Sequence, residues 1–98
     1  MANVRLTATA KWDLTEIDAY GALTFGVAVA GDYARGFREI FDLLRRHPHA
    51  GAARSELGKG VRSILHRRHR IFYIVAGEQV QILRVFHYSR DIQPSHLQ

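Results

Sequence analysis

Residues 61–87 read VRSILHRRHRIFYIVAGEQVQILRVFH, and this stretch decides the fold. Val61-Arg62-Ser63-Ile64-Leu65-His66 alternates with the period of a strand. Arg70-Ile71-Phe72-Tyr73-Ile74-Val75 is rich in β-branched and aromatic residues, which suit a pleated surface. Gly77-Glu78 reads as a tight turn, and Val80 to His87 as a third strand. The last two strands are apolar on both faces, as central strands are.

Working outward, the period changes. Residues 48–60 carry Pro48, Gly51, Gly58 and Gly60 and read as a loop. Before it, Ala30, Tyr33, Phe37, Ile40, Phe41 and Leu44 trace a helical stripe, with Arg45, Arg46 and His47 at the C-terminal end of the dipole and Pro48 as the stop. A first helix carries Ala10, Leu14, Ile17 and Gly21 at helical spacing, with Asp13, Glu16 and Asp18 at other positions. Thr7 or Thr9 can cap it, and Phe25-Gly26 closes it. So short a joint makes a helical hairpin. Val4-Arg5-Leu6 reads as a short opening strand, and the polar tail 88–98 as one short turn or a frayed, loosely ordered end. The order is β-α-α-β-β-β. The fold class is α+β, a helical hairpin packed on a small, mainly antiparallel sheet, with residues 1–98 as a single domain.

Composition bounds the function. The chain has 98 residues and no cysteine, which excludes a disulfide framework, a thiol nucleophile and a cysteine zinc site. No apolar run approaches the ~20 residues of a membrane span, and the N-terminus lacks the apolar stretch of a signal peptide. The expectation is a cytoplasmic protein without a membrane partner. The net charge of +5 is unevenly spread. Residues 1–44 hold four cations and six anions, whereas residues 45–98 hold ten cations, three anions and all six histidines. A basic half points to an anionic partner, nucleic acid or an acidic protein segment.

Four stretches, taken in this order and spacing, resemble ParE toxins of the RelE/ParE toxin–antitoxin superfamily. They are Leu6-Thr7 through Asp13-Leu14 and Ile17 to Tyr20; Phe25-Gly26; His47-Pro48, Gly51 and Arg54 through Glu56-Leu57 to Gly60-Val61-Arg62; and Phe72-Tyr73 with Ile82-Leu83-Arg84-Val85-Phe86-His87 and Arg90-Asp91. The resemblance covers nearly the whole chain. It implies a bacterial toxin that inhibits DNA gyrase by binding, is neutralised by a ParD-like antitoxin, needs no cofactor or metal, and has no catalytic residues. Nucleic acid would then be met only indirectly, through gyrase.

Candidate contacts follow. The basic hairpin His66-Arg67-Arg68-His69-Arg70 can meet phosphates or acidic side chains. With Arg62, His87, Tyr88 and Arg90, residues Arg67, Arg68 and Arg70 are the candidates for target contact. Strand alternation places Arg67 and His69 on one side and Arg68 and Arg70 on the other. Trp12, Tyr20, Tyr33, Phe37 and Phe41 are candidates for the antitoxin face, although the stripe residues Phe37 and Phe41 first of all suit the core. Arg84 sits among apolar neighbours and needs a carboxylate, with Glu56 or Asp91 the acids in view. Two other readings stay open. One is a ribosome-dependent mRNA endonuclease resembling the RelE and YoeB branch, with Arg62, Arg84, His87 and Tyr88 as its chemistry. The other is an inactive homologue that acts only in antitoxin binding and operon co-repression.

Overall fold

Thr7 ends the first strand and starts the first helix. Its hydroxyl accepts the Ala10 amide as a helix cap and donates to the Leu83 carbonyl of the last strand, at 3.0 and 2.9 Å. The computed structural model describes residues 1–98. Strand β1 (Asn3–Leu6) leads into α1 (Ala8–Phe25) and α2 (Val27–Arg46), then β2 (Ala52–Ala53), β3 (Arg62–His66), β4 (His69–Ala76) and β5 (Gln79–His87). Single 3₁₀ turns lie at Ser55–Leu57 and Pro94–Leu97. The helical joint is the one residue Gly26, at φ 93° and ψ 161°, a backbone that side-chain-bearing residues avoid. No helix is long and apolar enough to cross a membrane.

The sheet order is β1-β5-β4-β3-β2. β1 runs parallel to β5, and every other pair is antiparallel. β4 and β5 are therefore central, which explains their apolar character on both faces. One face meets the helices: Phe37, Phe41 and Leu44 of α2 pack on Ile71, Tyr73, Val80, Ile82 and Val85. The other face carries Val61, Phe72 and Phe86, covered by Leu57, Ile92 and Leu97. Thus the tail from Tyr88, read as one short turn or a frayed end, holds a 3₁₀ turn whose apolar side chains close the second face.

Two further differences from the sequence reading have physical causes. The loop at 48–60 contains β2, whose two alanines pair with Ser63 and Arg62. Two small residues carry no period of their own, so the partner strand alone makes them a strand. In β5, Tyr73 pairs with Ile82 while Phe72 pairs with Arg84, leaving Leu83 as a bulge. Strict alternation would align Arg84 with Val80 and Ile82 toward the helices. The bulge turns it to the side of Phe86, whose ring centroid lies 4.3 Å from the guanidinium carbon.

Candidate functional site

Arg84 finds its acid in α1, which corrects the expectation of Glu56 or Asp91. Beyond Leu6 the edge of β5 loses its partner strand, and α1 crosses there. Asp13 accepts the Val85 amide at 3.0 Å and both Arg84 Nε and Nη2, at 2.8 and 3.0 Å. Arg84 Nη1 donates to the His96 carbonyl at 3.1 Å, tying the tail to the same point. Asp13 is buried, and every polar side-chain atom buried with it has a partner. The signal for Asp13 lay in its spacing: it stands three residues after Ala10 and four before Ile17, on the inward stripe. Glu56 instead faces Arg54, and Asp91 faces Gln93.

The other basic residues divide. Arg62 donates to the Gly51 and His49 carbonyls at 2.8 and 3.3 Å. Arg70 pairs across the strands with Phe86, and Arg90 lies over that ring at 4.4 Å, so both belong to the second face. Arg67 and Arg68 go the other way. They form the β3–β4 turn itself, and both line a groove of about 930 Å³ shared with the two helices. Alternation had separated Arg67 from Arg68, but turn residues do not obey it. Of the target-contact candidates, only Arg67, Arg68 and His87 meet in this groove, beside His69. Tyr88 is exposed next to His87, and their rings are 4.8 Å apart.

Leu14, Ile17, Tyr20, Phe25, Val29 and Tyr33 line the groove's apolar walls. Phe37 and Phe41 are 4% and 8% exposed and form the floor of the groove. Trp12 is exposed outside the groove. At the helical joint, Leu23 is 90% and Val27 80% exposed, with Tyr20, Phe25 and Val29 also in solvent. Scattered apolar residues are ordinary on a surface, but several gathered beside an apolar groove make this joint a candidate for partner contact. Charge is distributed along the groove: Arg38, Arg67 and Arg68 against Glu16 and Asp18 of α1.

A polar cluster that sequence reasoning missed closes the basic end. The Tyr33 hydroxyl lies 2.7 Å from His69 Nδ1, and His66 Nε2 lies 3.0 Å from the Tyr33 carbonyl. The His69 and His87 rings approach edge to face at 5.6 Å. Burial, then the neighbouring His87 and His66, hold His69 down to about 4, and burial likewise lowers His66. Burial pushes the Tyr33 hydroxyl up. At neutral pH Tyr33, His66 and His69 are uncharged hydrogen-bonding groups. The signal for it was the dense run of histidines, which registered as charge rather than as neutral rings.

Comparisons agree with this architecture. The family described as "ParE toxin of type II toxin-antitoxin system, parDE" matches residues 4–92. Toxin ParE1 of Caulobacter vibrioides is 36% identical over 97 residues, spanning 99% of each chain. A solved structure of the chromosomal ParDE toxin–antitoxin system from P. aeruginosa superposes with a TM-score of 0.76 at 27% identity, covering 89% of this chain and 96% of that one. The toxin–antitoxin complex RelBE2 from Mycobacterium tuberculosis gives a TM-score of 0.56 at 30% identity, covering 88% and 96%. With its family pattern, a near full-length relative and its fold in agreement, the chain belongs to the ParE toxin family of type II toxin–antitoxin systems.

Proposed function

We propose that the chain inhibits DNA gyrase by binding, and that a ParD-like antitoxin neutralises it by seating an amphipathic segment in the groove between the helical hairpin and the β3–β4 turn. The observation that carries the antitoxin half is the groove itself: apolar walls that continue into the exposed Leu23–Val29 surface, with Arg67 and Arg68 on the rim. A segment that fits has an apolar face along α1 and α2 and carboxylates toward the turn. Such a segment is disordered when free and folds as it docks. The P. aeruginosa and M. tuberculosis relatives are toxin–antitoxin systems by name, which supports a partner of this kind. The gyrase half rests on family membership. Gyrase inhibition by binding would trap one of that enzyme's own intermediates, a shift of populations that requires no reaction by the toxin.

The two arginines of the nuclease reading, Arg62 and Arg84, are engaged elsewhere. A nuclease needs free cations converging on a phosphate beside a proton-transfer group. Arg84 is held by Asp13 and the His96 carbonyl, and Arg62 by two loop carbonyls. His87 and Tyr88 stand exposed without either of them.

The test is induction of the chain alone in a bacterium, followed by assay of the purified protein on gyrase with supercoiled plasmid. Accumulation of linear, gyrase-cleaved DNA is expected. Co-expression of the ParD-like protein encoded beside the toxin should restore growth. Ribosome-dependent cuts in mRNA with normal supercoiling would overturn the reading.

A further inference from the structure

The β3–β4 turn is held from outside the sheet. Arg67, at its tip, has φ of 52°, the one residue other than glycine with positive φ. That conformation is disfavoured for a long side chain and persists only where neighbours impose it. The neighbours come from α2. The Tyr33 hydroxyl oxygen accepts the Arg68 amide at 3.2 Å, lies 2.7 Å from His69 Nδ1, and is 3.2 Å from the His66 carbonyl. His66 reaches back to the Tyr33 carbonyl across Gly36, where a Cβ would come within 2.1 Å of its Cε1.

His66 Nε2 carries a hydrogen, because a carbonyl only accepts. Tyr33 has one hydrogen and two acceptors in reach, His69 Nδ1 at 2.7 Å and the His66 carbonyl at 3.2 Å, and the clamp proposed below places it on the shorter contact, with Nδ1 bare. The Arg68 amide fills the second position on the hydroxyl.

We propose that Tyr33, His66 and His69 form an acid-sensitive clamp between α2 and the β3–β4 turn, and that this clamp fixes Arg67 and Arg68 on the groove rim for the carboxylates of a partner segment. The partner clause rests on the function proposed above, whereas the clamp belongs to the free chain. The Tyr33 ring lines the groove, and its hydroxyl, the group that Tyr33→Phe removes, acts on a partner through the turn.

Acid sensitivity follows from the same atoms. A proton on His69 Nδ1 removes the acceptor, and the hydroxyl must turn to the His66 carbonyl, at 3.2 Å in place of 2.7 Å. The new cation faces His66, Arg67 and Arg68 on the turn, His87 across on β5 and Arg38 of α2. The acids on this side are Glu39 and Asp32 of α2 beside His66 and Arg67, with Asp32 ion-paired to Arg35, and Glu16 and Asp18 on the α1 wall, all exposed. Burial and the two neighbouring histidines already hold His69 at about 4. A partner carboxylate at Arg67 and Arg68 would raise it.

Amide hydrogen exchange by NMR, corrected for intrinsic rates, tests the clamp in the native chain, Tyr33→Phe and His69→Asn at pH 7 and pH 4. At pH 7, Tyr33→Phe should speed exchange at Arg68 about tenfold, with the Tyr73 and Ile82 amides unchanged. The native chain should exchange there about fivefold faster at pH 4 than at pH 7, because His69 is then about half protonated. His69→Asn offers an oxygen where Nδ1 stood and does not titrate, so it should keep protection at both values. Equal protection at Arg68 in native and Tyr33→Phe chains overturns the clamp, as does a native chain equally protected at pH 7 and pH 4. The partner arm uses the co-encoded ParD-like protein. Its affinity should fall about tenfold for Tyr33→Phe, and an unchanged affinity overturns the positioning role. If that protein binds no form of the toxin, the proposed antitoxin site falls instead, and the exchange data still judge the clamp.

Discussion

At the edge of β5 the fold is tied by formal charge, and at the β3–β4 turn by neutral rings. Asp13 and Arg84 join α1, β5 and the C-terminal turn through a two-pronged ion pair, a backbone amide and a carbonyl. Tyr33, His66 and His69 join α2 to the turn through hydrogen bonds among groups uncharged at pH 7. The ionic tie lies away from the groove and the neutral one lines it. A buried ion pair keeps its arrangement because losing either partner strands a charge. Neutral rings can gain a proton, so a tie made of them responds to its surroundings. Permanent order and adjustable order are thus assigned to different chemistries at different places.

The sharpest way to break this contrast is Arg84→Ala. It leaves the Asp13 carboxylate buried with the Val85 amide as its remaining partner, at a cost of about 3–5 kcal/mol. Urea unfolding should show it, and a domain with only about 5–15 kcal/mol in hand would retain little fold. The double change Asp13→Leu with Arg84→Met should recover most of the loss, because it strands no charge. Failure to recover would mean that the Val85 amide and the His96 carbonyl matter more than the charges. Gly36→Ala strikes the other tie by driving a methyl into His66. The clash outweighs the better helix propensity of alanine, for a net loss of about 1 kcal/mol. Thermal unfolding and a displaced His66 ring resonance check it.

Acid distinguishes the two ties without a mutation. His69 falls from an ordinary 6.5 to about 4 on folding, so between those values the unfolded chain binds more protons. Its contribution to stability is complete above 6.5 and is lost as pH falls through 4. Urea midpoints measured at several values between pH 7 and pH 4 should decline in the native chain and decline less in His69→Asn. The smallest effect on stability belongs to the exposed joint. Leu23→Ser and Val27→Ser should change unfolding free energy by no more than about 0.5 kcal/mol, while weakening capture of the ParD-like partner in a pull-down. Unimpaired capture would move the docking surface elsewhere.

Much of this architecture was legible because period carries through. The stripe Ala30 to Leu44 needed only 3.6-residue spacing, and β3 to β5 needed only alternation and β-branched content. Family membership was legible in the same way, from spaced motifs along nearly the whole chain. The need of Arg84 for a carboxylate was also readable, since burial of an unpaired guanidinium is costly. Its partner was not: Asp13 lies 71 residues away in sequence, and only the crossing of α1 over the β5 edge brings them together. The bulge at Leu83 escaped because Ile82 and Leu83 are both apolar and either register reads alike. The Tyr33 cluster escaped because it depends on the His66 ring packing against Gly36, a tertiary contact with no local spacing. Phe37 and Phe41 could be assigned to the core or to a partner by pattern alone, and burial decides for the core floor.

The parallel pairing of β1 with β5 also bears on when this chain becomes a protein. The first strand made must wait for the last, a separation of 76 residues between Thr7 and its contact at Leu83. At synthesis rates of about 5–20 residues per second, that wait is about 4–15 s. Over that interval α1 and α2 can pair locally, but their inward faces have no sheet to cover. The groove, whose far wall is the β3–β4 turn and His87, does not exist until the final strand is delivered. The surface on which we propose antitoxin docking is therefore absent until the last strand is made, and it appears only as the sheet closes.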